Sequence, residues 1–328
     1  MDFFDEAKLS VETSENSMRV EVRPNRTVFC RRSSMSVSAK LERDDISSSS
    51  SMTNILFVHG SCAASSQYDD LIRAMSMKLL ETQEQIQSYP KISKINCYSY
   101  DQLGCAESKH PASDWESFSS SNLLEDLRTI VKDGVLANSN KSSSLFLVGH
   151  SHGCSQVIQL VNSLSASDRS RIKGVILISG ALKDGPGEHA KDGGHWIFKF
   201  VPMFLLRKMQ PSLSQSFFQA AVHPKHKNAL KERALNVSDT NDMMFCKAFY
   251  RQQVFATSEE AAQIQVSCPF TIMLIYIYHI LHVYSYLFMF LIADSAPTFF
   301  NWLFFVSYIH HAIEFTRQEL LSFTERKT

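Results

Sequence analysis

The amino-acid sequence predicts an α/β fold built on a mostly parallel, doubly wound sheet, and three observations lead to this prediction. Four short segments rich in apolar residues, 54–58, 95–100, 145–148 and 174–180, have the length and composition of buried strands. Stretches with helical spacing of apolar residues separate them, which is typical of consecutive β-α-β units. A G-x-S-x-G pattern at residues 149–153 follows the third strand and precedes a helix-compatible stretch.

Length, charge and cysteine usage narrow the class of protein. The 328 residues are enough for one large α/β domain with additions, or for two domains. The formal net charge is zero, so there is no electrostatic argument for a nucleic-acid partner. The seven cysteines are scattered without a C-x-x-C pair, which favours a reducing compartment over a zinc site or a disulfide framework. The first residues are acidic and lack a secretory signal pattern, so we expect a cytoplasmic protein.

The region before the first core strand divides into three parts. Residues 1–17 are polar, and we expect them to be disordered. Apolar and polar residues alternate at 18–24 and 27–31, which predicts a β-hairpin at a sheet edge. The serine-rich stretch 33–53 predicts a flexible connection.

The predicted first part of the core, residues 18–180, carries polar residues directly after three of its strands. His59 and Gly60 follow the first strand, Asp101 follows the second and Ser151 follows the third. Because sites in such sheets gather at the carboxyl ends of the strands, we expect these residues to lie at one edge of the sheet.

The G-x-S-x-G pattern is the main candidate for chemistry. Between a strand and a helix, the serine is flanked by glycines because a side chain at 149 or 153 would collide with the neighbouring strand or helix. The strained turn lifts the hydroxyl of Ser151 above the sheet, and the N-terminus of the next helix favours negative charge there. We therefore expect Ser151 to be a nucleophile, which requires a base that takes its proton.

The chain changes character after residue 180. Residues 181–266 contain several helix-compatible stretches, and we expect them to form a helical lid over an acyl pocket. Residues 267–328 should supply the last strands and helix of the core, but their composition is atypically apolar.

Seven segments between residues 18 and 275 match sequence motifs of a known protein family. They are residues 20–26, 57–60, 100–104, 148–153, 201–203, 216–220 and 231–238. Through these segments the chain resembles the α/β-hydrolases, and among them the abhydrolase domain-containing group. Two departures are visible: that group usually has a glycine where this chain has Cys62, and a G-x-G loop where this chain has Gly104-Cys105-Ala106.

The resemblance implies serine-dependent hydrolysis of a carboxylic acyl ester, with a hydrophobic or lipid-like substrate and no metal or organic cofactor. It also implies that the backbone N–H groups of Ser61 and His152 form the oxyanion hole, while the imidazoles of His59, His150 and His152 are structural. Two alternatives stay open. The enzyme could pass the acyl group to a lysophospholipid or lysophosphatidic acid, or the fold could be an inactive scaffold at a membrane or lipid-droplet surface.

The base and the acid of the expected triad should follow the serine in the order acid, then histidine. The resemblance of residues 308–323 to the family's ending implies that His311 is the base, and we favour it over His310. The family's aspartate after the seventh strand is missing, so Asp294 is the first candidate for the acid and Asp184 the second. A triad without its acid still retains part of its catalysis.

Residues 270–309 form a long apolar stretch in which Asp294 is the single charged residue. The stretch is long enough to cross a bilayer. Three interpretations compete: a membrane anchor or hairpin, a diverged seventh strand and helix within the fold, or a stretch that is not native coding sequence. We favour the third, because the composition changes abruptly in the middle of a predicted strand.

Overall fold

The computed structural model describes residues 9–39, 52–85, 94–110, 115–137, 139, 143–180, 182–183, 198, 200–221, 241–264, 271–276 and 286–291. The strands are β1 (Leu9–Arg23), β2 (Arg26–Ala39), β3 (Met52–Val58), β4 (Lys94–Tyr100), β5 (Ser144–His150), β6 (Ile172–Ile178), β7 (Thr271–Tyr276) and β8 (Tyr286–Leu291). The α-helices are α1 (Asp69–Gln85), α2 (Ser120–Thr129), α3 (His152–Ser163), α4 (Ala166–Arg169), α5 (Met203–Ala221), α6 (Met243–Gln252) and α7 (Ser258–Ala262). A 3₁₀-helix at Ser65–Tyr68 leads into α1, and α2 continues as a π-helix over Ile130–Leu136.

All eight strands belong to one sheet, in the order β1-β2-β4-β3-β5-β6-β7-β8. The five central strands, β4, β3, β5, β6 and β7, pair in parallel. Antiparallel strands complete both edges, with β1 and β2 on one side and β8 on the other. This arrangement confirms the prediction of a mostly parallel sheet.

Strand β3 shows why the central strands are apolar throughout. Ile55 and Phe57 pack into one core cluster, together with residues of α1, whereas Leu56 and Val58 pack into the other, together with residues of α2 and α3. Because helices cover both faces, neither set of alternating side chains meets solvent. The result is the doubly wound arrangement that the sequence predicts.

The N-terminal hairpin is longer than the sequence analysis predicted. Residues 9–17 belong to β1, so the expectation of disorder over 1–17 is wrong for them, and residues 1–8 lie outside the described ranges. Residues 33–39 belong to β2 rather than to a flexible connection. The serines there are accommodated because β2 pairs with β4, where the hydroxyl of Ser34 donates to the amide oxygen of Asn96 at 2.8 Å.

A buried ion pair fixes the hairpin to the helical layer. The Arg26 guanidinium donates to both carboxylate oxygens of Asp126 on α2, over 2.5 to 2.8 Å. Arg23 adds a further bond to the same carboxylate at 3.0 Å. Asp126 is 1% exposed and Arg26 is 5% exposed, so water screens this pair very little. Bidentate geometry of this kind holds the turn between β1 and β2 at one place on α2.

The regular elements described within residues 181–266 are helices, and their role as a lid stays a prediction. After them, β7 pairs in parallel with β6, and β8 turns back along β7. Strand β7 agrees with the strand of the second interpretation of residues 270–309, a diverged seventh strand and helix, whereas β8 is a second strand that this interpretation did not include. Residues 277–285 and 292–309 lie outside the described ranges, and the third interpretation stays untested. Within the ranges that the structure describes, no helix combines the length and the apolar character needed to cross a bilayer.

Candidate active site

Ser151 occupies a sharp turn between β5 and α3. Its backbone angles are φ 53° and ψ −123°, a conformation that residues other than glycine rarely adopt. Its N–H donates to the carbonyl of Ile178 at 2.9 Å, which ties the turn to the end of β6. The serine precedes a helix, yet its hydroxyl does not cap that helix. Strain of this kind at a strand–helix turn is the local geometry expected of a nucleophile.

The two glycines that flank Ser151 are explained by close backbone contacts. A Cβ atom on Gly153 would lie 2.3 Å from the carbonyl oxygen of Val58 in β3. A Cβ atom on Gly149 would lie 2.8 Å from the backbone nitrogen of Cys154 in α3. No rotation of a side chain can relieve either clash, because the opposing atoms belong to the backbone. The predicted reason for these glycines is therefore confirmed.

The loop after β3 runs directly beside the nucleophile. A Cβ atom on Gly60 would lie 2.8 Å from the Cβ atom of Ser151. The preceding residue, His59, is fully buried, and its Nε2 atom accepts from the backbone N–H of Gln102 at 2.9 Å. Its Nδ1 atom lies 2.8 Å from the carbonyl oxygen of Gly60. The loops after β3, β4 and β5 thus meet at one edge of the sheet.

Asp101, which follows β4, organises these loops. Its side chain is 1% exposed and accepts from the N–H of Ser65 at 2.7 Å and from the N–H of Glu107 at 3.1 Å. Its own carbonyl accepts from the hydroxyl of Ser108 at 2.6 Å. Both carboxylate oxygens therefore bind backbone groups of the surrounding loops, which is a structural role.

The three histidines around Ser151 have surroundings that favour the neutral form. Burial lowers the pKa of His59, and burial followed by the nearby His59 lowers the pKa of His150. Burial lowers the pKa of His152 to about 4, although its hydrogen bond to a carbonyl acts in the opposite direction. Their side chains are held within the fold, in line with the structural roles that the sequence analysis assigns them.

The ring of His152 lies in an aromatic environment. It makes edge-on contacts with Phe249 at 4.9 Å and with Phe255 at 5.6 Å between ring centroids. Its Nε2 atom lies 3.2 Å from the carbonyl oxygen of Val254, to which the neutral ring donates. The side chain thereby fixes the first residue of α3, whose backbone N–H is the predicted oxyanion donor.

Residues on either side of helix α6, near Val254, also hold the loop after β3. The amide nitrogen of Asn241 donates to the carbonyl oxygen of Cys62. The amide nitrogen of Gln253 donates to the hydroxyl of Ser61 at 3.3 Å. Together with the contact from Val254, helix α6 and its flanking residues touch both segments from which the oxyanion donors are predicted to come. No motif in the sequence of this region indicates such a role.

Both departures from the family pattern occur at backbone positions that favour glycine. Cys62 has φ 52° and Ala106 has φ 41°, and Gly104 in the second loop has φ 86°. A side chain in this left-handed region costs about 1–2 kcal/mol relative to glycine. Both loops therefore adopt a backbone conformation that suits glycine, and Cys62 and Ala106 carry the strain.

The residues predicted as base and acid fall outside the part of the chain that the structure describes. His311, His310, Asp294 and Asp184 are all outside the described residues, so their placement stays a prediction. Among the residues that the structure does describe, no cluster of histidine, cysteine, aspartate or glutamate could hold a metal ion. The oxyanion assignments of Ser61 and His152 likewise stay predictions that the loop contacts support.

The fold and the strained strand–helix turn at Ser151, called the elbow below, together define a serine hydrolase of the α/β-hydrolase type. The sequence pattern of the serine aminopeptidase S33 family matches residues 84–272, more than half of the chain. The chain belongs to this family of α/β-hydrolases. No curated protein matches it in sequence.

Three solved structures are similar to this chain, and the first of them, with a TM-score above 0.5, supports the fold. A hydrolase from Pseudomonas aeruginosa superposes with a TM-score of 0.51 at 13% identity, over 78% of this chain and 79% of that one. An esterase from Exiguobacterium antarcticum gives 0.49 at 14% identity, over 74% and 76% of the two chains. An esterase from a Rhodococcus species gives 0.46 at 15% identity, over 79% of each. At these identities the similarity concerns the fold alone.

Proposed function

We propose that this chain cleaves a carboxylic acyl ester, with Ser151 as the nucleophile. The observation that carries the proposal is the backbone of Ser151, at φ 53° and ψ −123°, between a strand and a helix. A strained position of this kind persists only where the surrounding structure enforces it. Here the close approaches of Gly149, Gly153 and Gly60 enforce it.

The chemistry follows from the geometry of the elbow. The hydroxyl oxygen of Ser151 attacks the ester carbonyl while a base takes its proton, and the carbonyl oxygen becomes an oxyanion. The N–H groups of Ser61 and His152 are the proposed donors to this oxyanion, and loss of one such donor costs roughly 3–4 kcal/mol of transition-state stabilisation. The alcohol leaves with the proton, and water then releases the acyl group from Ser151 by the same route in reverse.

We propose His311 as the base on the resemblance of residues 308–323 to the family's ending, and the contacts of His59 and His152 agree with this choice. His59 has hydrogen-bonding contacts at both ring nitrogens, and His152 is held by Val254 and two phenylalanine rings. A base must come within hydrogen-bond reach of the nucleophile in the reacting complex. Asp294 is the proposed acid that orients His311.

The proposed substrate is hydrophobic. Phe200 just before α5, and Phe204 and Leu205 in its first turn, are exposed by 77%, 64% and 40%. Contiguous exposed apolar surface is typical of an interaction site. A lipid-like ester, presented by a membrane or lipid-droplet surface, fits them. The segments at 201–203, 216–220 and 231–238 resemble the branch of α/β-hydrolase domain-containing protein 8 within the abhydrolase group.

A second candidate is an inactive hydrolase fold that serves as a scaffold. The features in its favour are the missing aspartate after the predicted seventh strand and the apolar stretch at residues 270–309. Such a protein would keep the elbow geometry, but its serine would not react with a fluorophosphonate. The two candidates therefore differ in a property that can be measured directly.

The test is labelling of the full-length chain with a fluorophosphonate, which reacts with an activated serine. We expect the parent to be labelled, and we expect Ser151→Ala and His311→Ala to lose the label. Ser163→Ala, on the same helix as the elbow, and His310→Ala are the matched controls and should keep it. A folded parent that resists labelling would refute the esterase and support the scaffold. Loss of the label in His310→Ala but not in His311→Ala would reassign the base.

A further inference from the structure

Two cysteines from distant parts of the sequence meet beside the loop that carries Ser61. The sulfur atoms of Cys62 and Cys246 lie 3.1 Å apart, although 184 positions separate them in the chain. A disulfide bond is about 2.05 Å long, so the two atoms would have to approach by about 1 Å. Cys62 belongs to the loop after β3, and Cys246 belongs to helix α6 of the lid region.

The surroundings of these thiols favour a bond between them. Cys62 is partly exposed as a residue, whereas Cys246 is 6% exposed and faces Cys62 from the protein interior. The hydrogen bond from Asn241 to the carbonyl of Cys62 holds the two segments together independently of the sulfur atoms. The two segments are therefore already in contact before oxidation.

We propose that Cys62 and Cys246 form a reversible disulfide when the protein meets a small-molecule disulfide such as oxidised glutathione. The sulfur of Cys62 attacks one glutathione sulfur, which breaks the glutathione disulfide and releases one glutathione thiol. The sulfur of Cys246 then attacks Cys62, which forms the protein disulfide and releases the second glutathione thiol. The two protein thiols lose two electrons and two protons, and glutathione disulfide takes up both.

The surroundings of several cysteines, including Cys62, keep their thiols in the protonated form. Burial raises the pKa of Cys97 and Cys154 to about 12, and burial with a smaller contribution from Asp101 raises that of Cys30 to about 12. The contact with Cys246 and then burial raise the pKa of Cys62 as well. Since the thiolate is the reactive form, we expect slow oxidation at neutral pH and a faster rate as pH rises.

The consequence for the site rests on the proposed function. Ser61, the proposed oxyanion donor, directly precedes Cys62, so an approach of Cys62 toward α6 also moves the backbone of Ser61. A displacement of about 1 Å at a catalytic group can lower the rate about 100-fold. We therefore expect the oxidised protein to react more slowly with a fluorophosphonate than the reduced protein does.

The first experiment maps the bond in the full-length protein and does not depend on activity. The native chain is equilibrated with reduced and oxidised glutathione, free thiols are alkylated, and the digest is analysed without reduction. We expect a Cys62–Cys246 peptide pair that dithiothreitol removes. The pair should be absent from Cys246→Ala and present in Cys105→Ser, which removes the buried neighbouring thiol. Two alkylated cysteines, a glutathione adduct that stays on Cys62, or a bond from Cys62 to Cys105 would each overturn the proposal.

The second experiment compares fluorophosphonate labelling of the oxidised and reduced parent. We expect a loss of about 100-fold on oxidation, which dithiothreitol reverses and which Cys246→Ala does not show. An unchanged rate in a protein with the mapped bond would overturn the effect on the site. If the reduced parent does not label, the proposed esterase function fails, while the peptide map still decides whether the bond forms.

Discussion

At acidic pH, the buried ring of His152 is expected to weaken the fold. Its pKa is about 4 in the folded protein, against 6.5 for an ordinary histidine. Below pH 6.5, His152 binds a proton in the unfolded chain but stays neutral in the folded chain. The free energy of unfolding therefore decreases as pH falls. This contribution to stability is fully present above pH 6.5 and is lost progressively toward pH 4.

The magnitude follows from the two pKa values. Between about pH 7 and about pH 5, the difference in proton binding at His152 removes about 2 kcal/mol, and by about pH 4 it removes about 3 kcal/mol. His59 and His150 act in the same direction, since burial lowers their pKa values too. The total loss in the free energy of unfolding is therefore larger than the part due to His152. A variant at His152 is needed to separate its part from those of the other two histidines.

The variant His152→Phe removes the titration and keeps an aromatic ring against Phe249 and Phe255. It loses the hydrogen bond to the carbonyl of Val254, which costs about 1–3 kcal/mol at neutral pH. Urea unfolding of parent and variant over this pH range gives the difference in free energy at each pH. We expect that difference to change by about 2 kcal/mol in favour of the variant between about pH 7 and about pH 5.

The control is Ile158→Val, a buried apolar truncation that costs about 1 kcal/mol and removes no titrating group. Its difference from the parent should stay constant across the same pH range. A difference for His152→Phe that is equally constant would refute the reasoning, because it would mean that His152 binds its proton equally well in the folded and unfolded chains.

Two further substitutions test the packing around the site. Asp126→Asn leaves the buried charge of Arg26 without its partner, and we expect the free energy of unfolding to fall by about 3–5 kcal/mol in urea unfolding. Gly153→Ala places a methyl group 2.3 Å from the carbonyl oxygen of Val58, so we expect too little folded protein to measure a thermal transition near that of the parent.

Each of these substitutions has a matched control. Asp70→Asn breaks the ion pair with Arg73, whose side chains are both more than half exposed, and should change stability by less than about 1 kcal/mol. Gly134→Ala adds a methyl group that meets only Ile130 at 3.9 Å, an ordinary contact, so it should fold normally. Equal effects of the buried and exposed changes would contradict the structural account.

The elbow and the sheet could be predicted from the sequence because their signals are local. The pattern around Ser151 joins a strand to a helix within ten residues, and the steric reason for Gly149 and Gly153 applies wherever that turn occurs. The serine-rich part of β2 could not be predicted in the same way. Serine composition favours a flexible segment, and only the pairing with β4, through contacts such as Ser34 with Asn96, makes it a strand.

The residues that hold the two proposed oxyanion segments in place could not be predicted from the sequence either. Asn241, Cys246 and Gln253 belong to a helical region with no recognisable motif, and their partners lie more than 170 positions earlier in the chain. Contacts of such sequence separation depend on the tertiary fold rather than on local pattern. The unusual residue at Cys62 was visible in advance as a departure, but its positive φ and its partner were not.

The position of β7 in the sheet affects how the chain is made. Strand β6 is almost wholly apolar, and one of its two edges is covered by β7, which is synthesised about 90 residues later. At about 5–20 residues per second, a ribosome takes roughly 5 to 20 s to produce the covering strand. During that interval the nascent chain presents an open apolar edge that can pair with a neighbouring chain. Chaperone binding during translation would protect this chain in that period.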